Sequence, residues 1–171
     1  MTLEEQLFAS HAGKSVLLDS NLLLVFLAGT LDKRLFGTFK RISDYTLKDY
    51  ELLVRLLSSF TTLLTTPHIL TEVSNLANSL PERFRPDWHR NIATLIASEH
   101  ETPGLRERWT PALELAKMPE FSAFGITDAA LSKLTSDALV VTEDYRLSGT
   151  LLSQGVHVLN FRDLRKLQQL L

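Results

Sequence analysis

The segment KSVLLDSNLLLVF, residues 14–26, sets the terms for the rest of the chain. Three apolar residues, Val16, Leu17 and Leu18, lead to a single carboxylate at Asp19. Ser20 and Asn21 follow, and a second apolar run starts at Leu22. Residues 16–18 are short enough for a buried strand, whereas residues 22–28 predict the first turns of a helix. Asp19 then stands where a strand hands over to a helix, and in an open α/β sheet such junctions form the ligand-binding edge.

The remainder of the chain repeats this alternation. Residues 3–9 predict a short helix ending near Gly13, and Gly29 and Asp32 are expected to interrupt the helix after the first strand. Residues 33–43, with Lys33, Arg34, Lys40 and Arg41, read as a loop or a short helix. Leu47, Tyr50, Leu53, Val54, Leu57 and Phe60 recur at three- and four-residue steps, the stripe of an amphipathic helix that Thr46 or Asp44 could cap. TTLLTTP, residues 61–67, reads as a second strand closed by proline. In the helix after it, Ile69, Val73, Leu76 and Leu80 face inward and Glu72 lies on or beside that face. A carboxylate there either needs a partner, a metal ion being one candidate, or keeps its head in water at the edge of the stripe.

Residues 81–119 are the least regular. Ile92, Leu95 and Ile96 suggest one helix, Pro103 and Gly104 break it, and Leu113 and Ala116 suggest another. Arg83, Arg85, His89, Arg90, Arg106 and Arg108 lie here beside Trp88 and Trp109. Such a mixture can clamp phosphates and stack on bases, or form a solvated helix pair or a protein interface. In the last third, GITDAALSKL predicts a helix started by Thr127 or Asp128, with Ala130, Leu131 and Leu134 inward, that Asp137 ends. Residues 138–141 predict a strand, and a helix with Leu147, Leu151 and Leu152 runs to Gly155. Residues 156–159 predict a further strand, and Phe161, Leu164, Leu167 and Leu170 mark a final helix. Strand–helix–strand–helix is the signature of crossovers in a parallel sheet, hence an α/β fold.

Composition narrows the chemistry. With 171 residues, 44% of them apolar, the chain fits a single domain, residues 1–171, with a sizeable core. A net charge of −2 excludes a wholesale basic footprint but permits a local basic patch. The absence of cysteine removes disulfides, thiolate zinc sites and cysteine nucleophiles. The N-terminus is acidic where a signal peptide is basic, and no apolar run approaches the roughly twenty residues of a membrane span, so a cytoplasmic protein without membrane partners is expected. There is no glycine-rich phosphate loop, GxSxG elbow or HExxH helix. The histidines at 11, 68, 89, 100 and 157 lack metal-ligand spacing. A haloacid-type phosphotransferase would carry a second aspartate two residues after the first, where this chain has Asn21.

Four carboxylates remain: Asp19, Glu72, Asp128 and Asp144. Each aspartate also fits a helix cap or a first-turn charge. Asp19 and Asp144, however, both leave the carboxyl ends of strands, where one crevice gathers side chains. Acids brought together raise one another's pKa unless a cation lies between them, and hard oxygen ligands suit magnesium or manganese.

These acids and their surroundings, VLLDSN, TPHILTEVSNL, GITDAALSKL and ALVVTEDYRL followed by GVHVLNF, resemble the PIN-domain ribonucleases, of which the VapC-like toxins are the best known. The resemblance covers roughly residues 15–28, 63–80 and 125–171. It implies a PIN-like three-layer α/β/α sandwich with a central parallel β-sheet, with helical insertions around 29–59 and 81–124. It further implies a Mg2+- or Mn2+-dependent endoribonuclease whose catalytic and metal-binding acids are Asp19, Glu72, Asp128 and Asp144. Asn21 and Thr142 would support them, and Lys133 and Arg146 would meet substrate phosphates. RNA, cut to a 5′ phosphate and a 3′ hydroxyl, is the implied substrate. An antitoxin-like inhibitor protein and a second copy in a homodimer are the further partners of a toxin of this kind. The alternatives are a catalytically silent scaffold of the same fold, binding nucleic acid or protein, and a small-molecule phosphohydrolase using the same crevice.

Overall fold

In the computed structural model, which describes residues 3–136 and 138–169, helix α1 (Leu3–His11) leads into strand β1 (Ser15–Leu18), and α2 (Ser20–Leu31) follows directly. Two 3-10 turns, Lys33–Leu35 and Lys40–Ile42, precede α3 (Leu47–Leu57), β2 (Thr62–Thr65), α4 (Pro67–Asn75) and α5 (Arg85–Ile96). Strand β3 (Gly104–Glu107) and the short helices α6 (Ala112–Leu115) and α7 (Pro119–Phe124) come next. The chain closes with α8 (Ile126–Lys133), β4 (Leu139–Thr142), α9 (Tyr145–Ser153), β5 (Val158–Asn160) and α10 (Phe161–Gln169).

The five strands form one sheet in the order β3-β2-β1-β4-β5, every pair parallel. Val16, Leu17 and Leu18 are at most 1% exposed, and all four residues of β4 are buried. Because successive strand residues point to opposite faces, burial without alternation means that both faces of the sheet are covered, the environment that parallel sheets require. The architecture is therefore α/β around a parallel sheet. The chain winds from β1 outward through β2 to β3, then returns to the other side of β1 for β4 and β5. Winding reverses between β1 and β4, so the crevice outside their carboxyl ends is the topological switch point where open α/β sheets bind ligands.

Local sequence explains most element ends. Thr46 caps α3 in a reciprocal capping box with Asp49, and Thr66 with Pro67 opens α4. Gly29 does not interrupt α2, as the sequence suggested; the helix runs on to Leu31. The glycine instead admits the Tyr50 ring, since a Cβ there would lie 2.2 Å from Tyr50 Cδ2. In α3 the core stripe is Leu53, Leu56 and Leu57, while Leu47 and Val54 are more than one-third exposed. Leu152 of α9 is likewise outward, at 51% exposure. The span 81–124 carries α5, α6 and α7, joined by turns and irregular segments, and also β3, an edge strand that the sequence reading missed. Trp88 is fully buried, edge-on to Phe39 at 6.3 Å, which removes it from any base-stacking role; Trp109 is 73% exposed. Asp137, expected to end α8, and Leu170, expected in the last stripe, lie outside the described residues. Among the described residues no helix is long and apolar enough to cross a membrane.

Candidate metal centre

Asp19 follows β1 immediately and caps α2: its Oδ1 accepts the Leu22 N–H at 2.8 Å. Its Oδ2 accepts the Thr142 hydroxyl at 2.5 Å and the Glu143 N–H at 3.2 Å, both from the end of the neighbouring strand β4. The Asp19 N–H is itself bonded to Val141 O, so backbone and side chain both tie it across the switch point. Asp19 is thus a cap and a wall of the crevice at once. It is only 6% exposed. Burial pushes its carboxyl above the usual aspartate value, against the pull of its three donors.

The other acids reach the same place from separate elements. A cleft of about 270 Å³ is lined by Asp19, Glu72, Asp128 and Asp144 together with Asn21 and Thr142. Glu72, on α4, is solvent-exposed at the edge of its apolar stripe, and the Ser20 hydroxyl donates to its Oε2 at 2.9 Å. Asp144 caps α9, its Oδ1 accepting the N–H groups of Arg146 and Leu147, while its own N–H donates to Thr142 Oγ1 at 3.0 Å. Asp128 does not cap its helix. The N-cap of α8 is Gly125, at φ +94°, a conformation that favours glycine, and it offers no side chain to the helix. Asp128 sits half-buried in the first turn. Desolvation first, then the charges of Asp19, Asp144 and Glu72, push its carboxyl up to about 6. One residue therefore registers all three other acids through space.

Asn21 is exposed at the cleft edge, and Thr142 is buried between Asp19 and Asp144. The two expected phosphate-binding cations part company. Arg146 lies over the ring of Phe124, a lining residue, at 5.5 Å, whereas Lys133 is not among the lining residues and stands 4.0 Å from Glu114. Three residues of the site were not singled out from sequence. Ser20 holds Glu72, the backbone of Glu143 holds Asp19, and Phe124 forms an apolar wall. The Ser20 contact joins residues 52 apart, so no local pattern signals it.

The donor set is carboxylate and hydroxyl oxygen, which suits a hard divalent cation, and the repulsion gathered on Asp128 is what such a cation would relieve. Among the described residues no group of three or more histidine, aspartate or glutamate side chains is arranged so that it could hold a metal ion. Fewer than three of these carboxylates could therefore ligate one ion directly, and water would have to complete its shell, as it commonly does for magnesium. No family model, curated protein or solved structure matches the chain, so the functional reading stands on the chemistry of this cleft.

Proposed function

We propose that the protein is a PIN-like, Mg2+- or Mn2+-dependent endoribonuclease acting through the cleft at the switch point. The observation that carries the reading is the convergence of four carboxylates from four elements on one cleft, felt at Asp128. Structural carboxylates are ordinarily dispersed, because a cluster of them costs stability unless a cation is bound. A bound divalent ion would supply Lewis acidity toward a phosphodiester and its attacking water. Asp19 and Asp144, oriented by their caps and by Thr142, would be the direct ligands, with Glu72 and Asp128 holding the surrounding waters and taking up a proton. The uncapped first turn of α8 also opens on the cleft and offers backbone N–H groups to a phosphate oxygen.

That no three acids among the described residues are arranged to hold an ion favours one competing reading, a catalytically silent scaffold of the same fold. Melting curves with added Mg2+ or Mn2+ separate the two: the nuclease gains stability by linkage, and the scaffold does not. Assaying single-stranded RNA beside a phosphate monoester tests the substrate class. Turnover of the monoester alone would make the protein a phosphohydrolase.

A further inference from the structure

Arg165, on α10, lies outside the cleft but one contact away from it. Its side chain is 17% exposed and its guanidinium is almost fully committed. Nε donates to Asp49 Oδ1 at 2.9 Å and Nη2 to Asp49 Oδ2 at 3.1 Å, a bidentate pair with a carboxylate of α3. Nη1 donates to Glu143 Oε1 at 3.0 Å, and Nη2 also to the Asp44 carbonyl at 2.7 Å. The Tyr45 ring stacks under it at 5.1 Å. Asp49 and the Glu143 side chain are themselves nearly buried, so one cation balances two acids in a site of low water content.

What separates this bridge from an ordinary structural one is where it ends. The backbone N–H of Glu143 is one of the donors to Asp19 Oδ2, and the residues on either side of it are Thr142 and Asp144. Fixing the Glu143 side chain fixes the turn that aims all three at the crevice. The geometry points to Arg165 as a positioning residue: it holds the 142–144 turn against Asp19 by neutralising Glu143 from outside the cleft. Without Arg165, Glu143 keeps the Tyr45 hydroxyl as a side-chain hydrogen-bond partner but is an unbalanced buried anion beside Asp19, and it escapes by turning toward water and drawing its backbone N–H away. Lysine is a poor substitute, because an ammonium on a flexible stem cannot meet four acceptor oxygens and a ring face together. The consequence for ion binding rests on the reading of the cleft given above; the hold on the turn does not.

The test is amide hydrogen exchange at residue 143 in Arg165→Met and in Glu143→Ala, which removes the side chain that Arg165 holds, with Phe60→Ala as a core variant that loses stability at the opposite end of the sheet. Exchange at this amide at least tenfold faster in both variants than in Phe60→Ala is the expected result, with Arg165→Lys recovering part of the protection. Equal exchange in Arg165→Met and Phe60→Ala would overturn the proposal, and if Arg165→Met does not fold, the same comparison with Glu143→Ala decides it. Calorimetric titration with Mn2+ alone adds the second arm, where Arg165→Met is expected to bind at least tenfold more weakly than wild type while Phe60→Ala binds as wild type does. A wild type that takes up no Mn2+ removes the metal-centre reading and leaves the exchange measurement to decide the positioning role.

Discussion

The Thr142 hydroxyl donates to Asp19 Oδ2 at 2.5 Å, linking the ends of β4 and β1 across 123 residues of sequence. It is the shortest of the contacts that orient Asp19, and it lies in a buried setting where a lost partner is costly. Thr142→Val keeps the shape, removes the hydroxyl and leaves Oδ2 with the Glu143 N–H alone. The expected loss is about 2 kcal/mol, in the range for hydrogen bonds to charged groups. Urea unfolding at neutral pH measures it.

The pH dependence follows from Asp128. Its carboxyl is raised from 3.8 to about 6, so the folded chain binds this proton more tightly than the unfolded chain. Between those values the native state carries more protons, and stability falls as pH rises through the window. Asp19, raised in the same direction, adds to the slope. Melting temperatures in a metal-free buffer should decline from pH 4 to pH 7, and Asp128→Asn should flatten the decline. Added Mn2+ should oppose it at the neutral end, where the carboxylates are charged.

At Gly29 the protein has exchanged helix propensity for contact with Tyr50. Alanine would gain about 1 kcal/mol of propensity in an unconstrained helix. Here its Cβ would fall 2.2 Å from the rigid Tyr50 ring, and overpacking of that kind costs about 1–3 kcal/mol. Gly29→Ala should lower the melting temperature, whereas Gly29→Ala combined with Tyr50→Ala should show no further clash penalty.

The tryptophans should behave oppositely. Trp88→Ala empties a fully buried site against Phe39 and should cost about 3–5 kcal/mol. Trp109→Ala, at a position 73% exposed, should stay within about 0.5 kcal/mol. Chemical denaturation of both variants checks the contrast.

Much of this organisation was legible because it is local. Short apolar or β-branched runs against helical spacing located β1, β2, β4 and β5, and a carboxylate leaving the carboxyl end of a predicted strand marked Asp19 and Asp144. Strand β3 was not legible. It reads Gly-Leu-Arg-Glu, charged at half its positions as befits an edge, and Gly104 owes its place to the backbone oxygen of Glu99, 2.5 Å from where a Cβ would be. Val54 and Leu152 fit a helical stripe yet point outward, because periodicity finds a face but not how much of it a neighbour covers. Arg165 was hidden for another reason. Its partner Asp49 is 116 residues away, and in sequence it is only one charge in a polar helix.

Cleavage of single-stranded RNA in the presence of Mn2+, by the wild type, Asp19→Asn and Asp144→Asn, bears most directly on the proposed function. Asparagine serves as a helix cap nearly as well as aspartate, so Asp144→Asn should melt close to wild type; Asp19→Asn turns an amide toward the Glu143 N–H and should fold with a loss of about 2 kcal/mol, like Thr142→Val. Cleavage is expected from the wild type only when the ion is present, leaving 5′ phosphates, with a loss of at least a hundredfold in each variant. Cleavage at the wild-type rate by either folded variant, or a wild type inert toward RNA with Mn2+ bound, would contradict the proposed function.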